Sequence, residues 1–219
     1  MARANPSDSP QKGHPRFLVK VVSKQQSKQA LRALYLDQTQ RLGSIERKTE
    51  SERICQAILA HPRWKSAHKL LLFSPIRSEP DIRTLFPQAH AQSKRLYLPK
   101  YNNHEGTYEA RELTEELETL EKGHLGILEP SEKAAKLPFE EIDLVLVPGL
   151  AFSKTGQRLG RGGGFYDRMT QHMKAVKVGV AYSTQWSESP LPSEPHDVAV
   201  NFVVTASRGM IPTNDASLC

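Results

Sequence analysis

The stretch Ile142-Asp143-Leu144-Val145-Leu146-Val147 constrains the fold more than any other part of this chain. It is almost unbroken aliphatic sequence, without the polar alternation of a half-solvated strand, and that is the pattern of a strand buried on both faces. Such a strand needs helices above and below it, which points to a parallel sheet between helical layers. Shorter apolar runs repeat the signal at Lys69–Phe73 (KLLLF), Arg95–Pro99 (RLYLP), Val176–Tyr182 (VKVGVAY) and Val198–Thr205 (VAVNFVVT). Asp81–Gln92 and Phe165–Met173 read as helices, with Pro87 expected to kink or end the first.

Ahead of the sheet, Leu31, Leu34 and Tyr35 fall at helical spacing between Ser27 and Leu42, and Gly43 follows as a stop. Ser44 suits the N-cap of a second helix that carries Ile54, Ile58 and Leu59 and ends before Pro62. The predicted fold is a three-layer α/β/α domain with a mostly parallel, Rossmann-like sheet and an N-terminal helical hairpin. A single domain is expected over 24–207, after a flexible extension at 1–23 and before a tail at 208–219. Between Asn102 and Ala135 the pattern gives only a turn at Gly126–Pro130.

Composition excludes several function classes. Of 30 Lys and Arg and 24 Asp and Glu, ten and three respectively fall in residues 1–48. The basic excess therefore lies in a tail and on helix faces, which argues against a nucleic-acid reader with a basic, aromatic-laced domain face. No apolar run approaches the ~20 residues that span a bilayer, and residues 1–17 lack the apolar core of a secretory signal. The two cysteines, Cys55 and Cys219, have neither metal-ligand spacing nor the density of a disulfide framework. A cytoplasmic protein without membrane or nucleic-acid partners, and a monomer, is the expectation.

The chemistry concentrates after the IDLVLV strand. Gly160, Gly162, Gly163 and Gly164 lie among Arg158, Arg161 and Arg168, just before the helix at Phe165. Glycines let the backbone approach a ligand and present N–H groups, a helix start favours anions, and arginines add bidentate bonds to phosphate oxygens. The segment is neither a Walker A loop, since no Gly-Lys-Ser/Thr ends it, nor a dinucleotide fingerprint, since Val176–Tyr182 ends without an acidic residue. Asp167 in the first helical turn suits Mg²⁺ beside a polyphosphate, or equally the complement of a helix dipole. Lys28 and Arg32 share one helix face and either clamp a phosphate or face solvent. Glu79 follows the first strand at its carboxyl end, where open α/β sheets bind ligands. His196-Asp197 lacks the serine or cysteine of a nucleophilic triad, and the histidines lack zinc-ligand spacing.

These residues resemble the 5-formyltetrahydrofolate cyclo-ligase family, also called 5,10-methenyltetrahydrofolate synthetases. The resemblance is carried by Arg158-Leu159-Gly160-Arg161-Gly162-Gly163-Gly164-Phe165-Tyr166-Asp167-Arg168 after Pro148-Gly149-Leu150-Ala151-Phe152. Lys28-x-x-Leu31-Arg32, Glu79, Gly126-Ile127-Leu128-Glu129-Pro130, Val178–Tyr182 with Gln185, and His196-Asp197 support it in order.

The resemblance implies ATP- and Mg²⁺-dependent ring closure on a reduced folate. It implies that Lys28, Arg32, Arg158, Gly160, Arg161, Gly162, Gly163, Gly164, Phe165 and Tyr166 bind ATP. Lys28, Arg161 and Tyr166 would be catalytic, Glu79, Ser74 and Tyr166 would bind the folate, and Asp167 and Asp197 would hold Mg²⁺. The chain departs from the family at Asn201, where many members carry an acidic residue, at Ser74-Pro75-Ile76-Arg77, at Pro87 and in its N-terminal extension. A phosphoryl-transfer enzyme using the same loop on a non-folate substrate is the alternative.

Overall fold

The computed structural model describes residues 24–114 and 120–213. The extension expected at 1–23 and residues 214–219 of the expected tail lie outside them.

Two helices, α1 (Lys24–Arg41) and α2 (Ser44–Ala60), lead into a short α3 (Pro62–Ser66). Gly43 occupies the cap position of α2 without a side-chain cap bond, so Ser44 is the first helical residue rather than the cap. Pro62 opens α3, the position where its missing N–H has no intrahelical acceptor. The expected hairpin is only a sequential one, because each helix buries its apolar face elsewhere. Tyr35 and Leu31 of α1 pack on Leu150, Leu159 and Leu191, while Ile54 and Ile58 of α2 enter the main core.

The strands follow as β1 (Lys69–Leu71), β2 (Arg95–Asn102), β3 (Thr107–Glu112), β4 (Glu121–Lys122), β5 (Leu128–Glu129) and β6 (Lys136–Leu137). Then come β7 (Leu144–Pro148), β8 (Ala151–Ser153), β9 (Arg158–Leu159), β10 (Val176–Val180), β11 (Trp186–Ser187), β12 (Phe202–Thr205) and β13 (Gly209–Pro212). Helix α4 is Leu85–Ala91 and α5 is Phe165–Thr170. Pro87 is tolerated because α4 starts late, at Leu85. The proline thus falls in the first turn, where an N–H has no intrahelical partner.

The main sheet has eight strands in the order β13-β12-β10-β7-β1-β2-β3-β6. The five from β12 to β2 run parallel; β13 on one side and β3 on the other run against them, and β6 pairs antiparallel with β3. Residues 209–212, read from sequence as tail, form the edge strand β13: Gly209 at φ +68° turns the chain back so that Gly209–Pro212 pairs with β12.

Alternation within the strands makes the layers. Leu70, Leu144, Leu146, Val178, Val180 and Val204 face α2, α3 and α4 in one core. Leu71, Val145, Val147 and Val203 face Phe152, Met169 and Met173 in the other. Leu70, Leu71, Val145, Leu146 and Val178 are all completely buried, and each such side chain contributes about 1.5–3 kcal/mol of transfer free energy.

Among the parallel strands the spatial order β2-β1-β7-β10-β12 is that of a doubly wound sheet, whose direction of winding reverses between β1 and β7. A crevice opens outside the carboxyl ends of strands at that reversal, and the loops after β1 and β7 form its walls.

Candidate active site

A cleft of about 660 Å³ occupies this position. Every candidate site residue named from the sequence lines it, from Lys28 and Arg32 on α1 to Asp197 ahead of β12.

Ser74 and Glu79 stand on the loop after β1. Glu79 is 9% exposed, its carboxylate accepts the Ile76 N–H at 3.2 Å, and Arg161 Nε lies 3.7 Å away. Burial pushes its carboxyl up to about 7, only partly countered by Ile76 and Arg161. Tyr182 anchors the loop by donating to the Glu79 carbonyl at 2.9 Å.

The opposite wall is the glycine segment. It leaves a small sheet of β11, β8 and β9, in which β8 and β9 form an antiparallel pair. Gly162 (φ +106°) and Gly164 (φ +64°) adopt left-handed conformations that side chains resist, so the backbone turns sharply into α5. Arg32 reaches across from α1 and donates to the Gly160 carbonyl at 2.9 Å, tying helix to loop. Arg161 donates to Ser78 Oγ on the far wall. The Arg158 guanidinium lies 5.8 Å from the Tyr166 ring centre, and burial holds the Tyr166 hydroxyl well above its ordinary range.

Two candidate roles change on contact with the geometry. Asp167, read as a metal ligand or a dipole partner, instead pairs with Arg158 at 2.7 Å and accepts the Val198 N–H at 3.2 Å. Both oxygens are committed, so as it stands the carboxylate fixes Arg158 rather than offering a free ligand atom. Lys28 Nζ is held between Glu194 (2.7 Å) and Asp197 (2.6 Å). Burial disfavours its charge, but the two carboxylates outweigh this and raise its pKa. Glu194, His196 and Asp197 bring one ligand atom each within 4.8 Å of one another. The carboxylate oxygens of Glu194 and Asp197 are donors of the kind that hold a divalent cation, once the Lys28 ammonium between them has moved away.

Sequence reasoning missed the third wall. Tyr108 of β3 meets Phe165 edge-on at 5.2 Å, and Phe165 meets His124 at 5.8 Å. His124 stacks on Tyr101 at 3.9 Å. The turn at 124–126 is pinned by Glu129, whose carboxylate accepts the His124 N–H at 3.2 Å and pairs with Lys100 at 3.2 Å. The signal for Glu129 lay in the Gly126–Pro130 turn. Tyr108 and Glu194 carried no signal in sequence. Asn201 lies at the amino end of β12 and accepts the Lys177 N–H at 2.9 Å, a strand-edge contact away from the cleft.

A doubly wound α/β domain with its cleft at the crossover of the sheet defines a protein of the doubly wound α/β class. Within that class, the 5-formyltetrahydrofolate cyclo-ligase family model matches residues 24–206, and the chain belongs to that family. An Escherichia coli (strain K12) protein named 5-formyltetrahydrofolate cyclo-ligase is 32% identical over 189 residues, 83% of this chain and 97% of the relative. A Mus musculus protein of the same name is 28% identical over 188 residues, 81% and 93% of the two chains. The solved structure of Aquifex aeolicus 5,10-methenyltetrahydrofolate synthetase superposes with a TM-score of 0.76 at 34% identity, covering 86% of this chain and 93% of that one. Among the described residues no helix is long and apolar enough to cross a membrane.

Proposed function

We propose that this protein converts 5-formyltetrahydrofolate to 5,10-methenyltetrahydrofolate, with ATP and Mg²⁺, releasing ADP and phosphate. One observation carries the reading: a cationic glycine loop and a buried carboxylate face each other across a single cleft at the crossover of the sheet. Polyphosphate matches the first wall and the N–H groups of a pterin edge match the second.

The formyl oxygen attacks the γ-phosphorus and ADP leaves. N10 then attacks the activated formyl carbon, the N10 proton is lost, and phosphate departs as the five-membered ring closes. Such transfer needs position and charge neutralisation rather than a protein nucleophile, which suits a site of arginines and backbone donors. Arg32, Arg158, Arg161 and the N–H groups of Gly160–Gly164 bind the phosphates, and Lys28 reaches them once it leaves its carboxylates. Glu79 accepts N–H groups of the pterin, with Ser74 beside it. Tyr166 stands where the two substrates meet, and Phe165 against Tyr108 keeps water from the reacting atoms. Asp197 with Glu194 would hold Mg²⁺, which neutralises charge on the phosphate oxygens when bound. The proposed setting is the cytosol, with the protein a monomer.

The test mixes purified protein, 5-formyltetrahydrofolate, Mg²⁺ and ATP and follows the absorbance of the methenyl product. An ATP-dependent rise is expected. A flat trace from protein that binds ATP would assign the loop to phosphoryl transfer on another substrate.

A further inference from the structure

Arg161 leaves the glycine loop, which is the phosphate wall, yet its guanidinium is spent on the opposite wall. It donates to Ser78 Oγ and lies 3.7 Å from the Glu79 carboxylate. Its side chain is 42% exposed against 8% for Glu79, so the arginine can swing and the carboxylate cannot. The buried carboxylate is also poorly served, with the Ile76 N–H as its other contact.

We propose that Ser78 and Glu79 park Arg161 between turnovers, and that this bridge couples occupancy of the two walls so that each substrate tightens binding of the other. This coupling rests on the proposed function of the two walls. A pterin that donates to Glu79 must displace Arg161 from it, and a polyphosphate that engages Arg161 must draw it off Ser78. Either ligand alone breaks the bridge. When both bind, the bridge is broken once, so the second ligand meets a wall already released. Linkage makes the effect reciprocal.

Ser78 is the positioning residue in this scheme, since it holds the arginine without belonging to either substrate's site. Calorimetry with β,γ-methylene-ATP and 5-formyltetrahydrofolate, each alone and each with the other saturating, measures the coupling without turnover. In the wild type each ligand is expected to tighten the other by roughly fivefold, the scale of one exposed charge-assisted contact. Ser78→Ala should tighten each ligand measured alone and reduce the coupling below about twofold. Ser78→Thr, which keeps the hydroxyl, should restore it. Independent binding in the wild type, or coupling unchanged in Ser78→Ala, overturns the proposal. Failure of 5-formyltetrahydrofolate to bind at all overturns the functional reading instead, and the coupling falls with it.

Discussion

Replacing Glu79 by Gln tests whether the cleft stores free energy in a buried carboxyl. The folded chain holds the Glu79 proton up to about pH 7, whereas the group ordinarily releases it near 4.5. Between those values the folded state binds more protons than the unfolded state, so this carboxyl lowers stability as pH rises. Glutamine is isosteric and does not titrate. The Glu79→Gln protein should therefore match the wild type, apart from a constant offset, near pH 4.5. It should gain on the wild type as pH rises, levelling off above pH 7. The separation of the two values corresponds to about 3 kcal/mol at most. Arg161 already offsets part of the burial, which is included in that figure. Urea unfolding from pH 4.5 to 8.5 measures the gain. The same variant should lose affinity for 5-formyltetrahydrofolate, because an amide presents a donor where the pterin requires acceptors. A stability difference that stays flat across this pH range would refute the claim that Glu79 is a strained, buried acid.

Arg161→Ala should lower kcat/KM for ATP by about 2 kcal/mol or more of transition-state stabilisation, and unchanged kinetics would remove Arg161 from the phosphate wall. Asp167→Asn should destabilise the fold by about 3 kcal/mol, because it leaves the Arg158 guanidinium buried without its anion; an unaltered Tm would return Asp167 to the pool of free metal ligands. Phe165→Ala should raise KM for both substrates and accelerate hydrogen exchange at 124–129, since the ring ties the glycine segment to Tyr108 and His124. Equal exchange in the two proteins would show that this wall stands without it.

The sheet was legible because burial on both faces leaves a mark in composition. IDLVLV and KLLLF predicted β7 and β1, and the glycine and arginine block marked the segment ahead of α5, although the β8–β9 hairpin that separates it from β7 went unread. Harder to read were elements whose formation depends on distant partners. Tyr108 belongs to a strand of mixed polarity, and what makes it part of the cleft is the ring of Phe165, which no local pattern encodes. Val198–Val200 looks like a strand in sequence. The Val198 amide instead goes to Asp167 and that of Val200 to Gly156, so β12 begins only at Phe202. Charge partners were the least visible. Arg158 with Asp167 and Lys28 with Glu194 and Asp197 both pair residues from different elements; a reading along the chain assigned Arg158, Asp167, Lys28 and Asp197 to ligands rather than to one another, and passed over Glu194.

The walls of the cleft come from Lys28 and Arg32, from the loop after β1, from Tyr108, from Leu125 with Ile127 and Glu129, from the glycine segment and from Glu194 to Asp197. These segments span most of the described chain, and none carries a complete half of the site. On the proposed function, no fragment can therefore bind both substrates, and the cleft is not assembled until the five parallel strands have found their order, the slow kind of pairing because its contacts are remote in sequence. A bound ligand in turn stabilises the domain as a whole, because it binds the folded chain and not the unfolded one. On the proposed function, each substrate is thus also a ligand whose free concentration, relative to its Kd, adds to the stability of the whole domain.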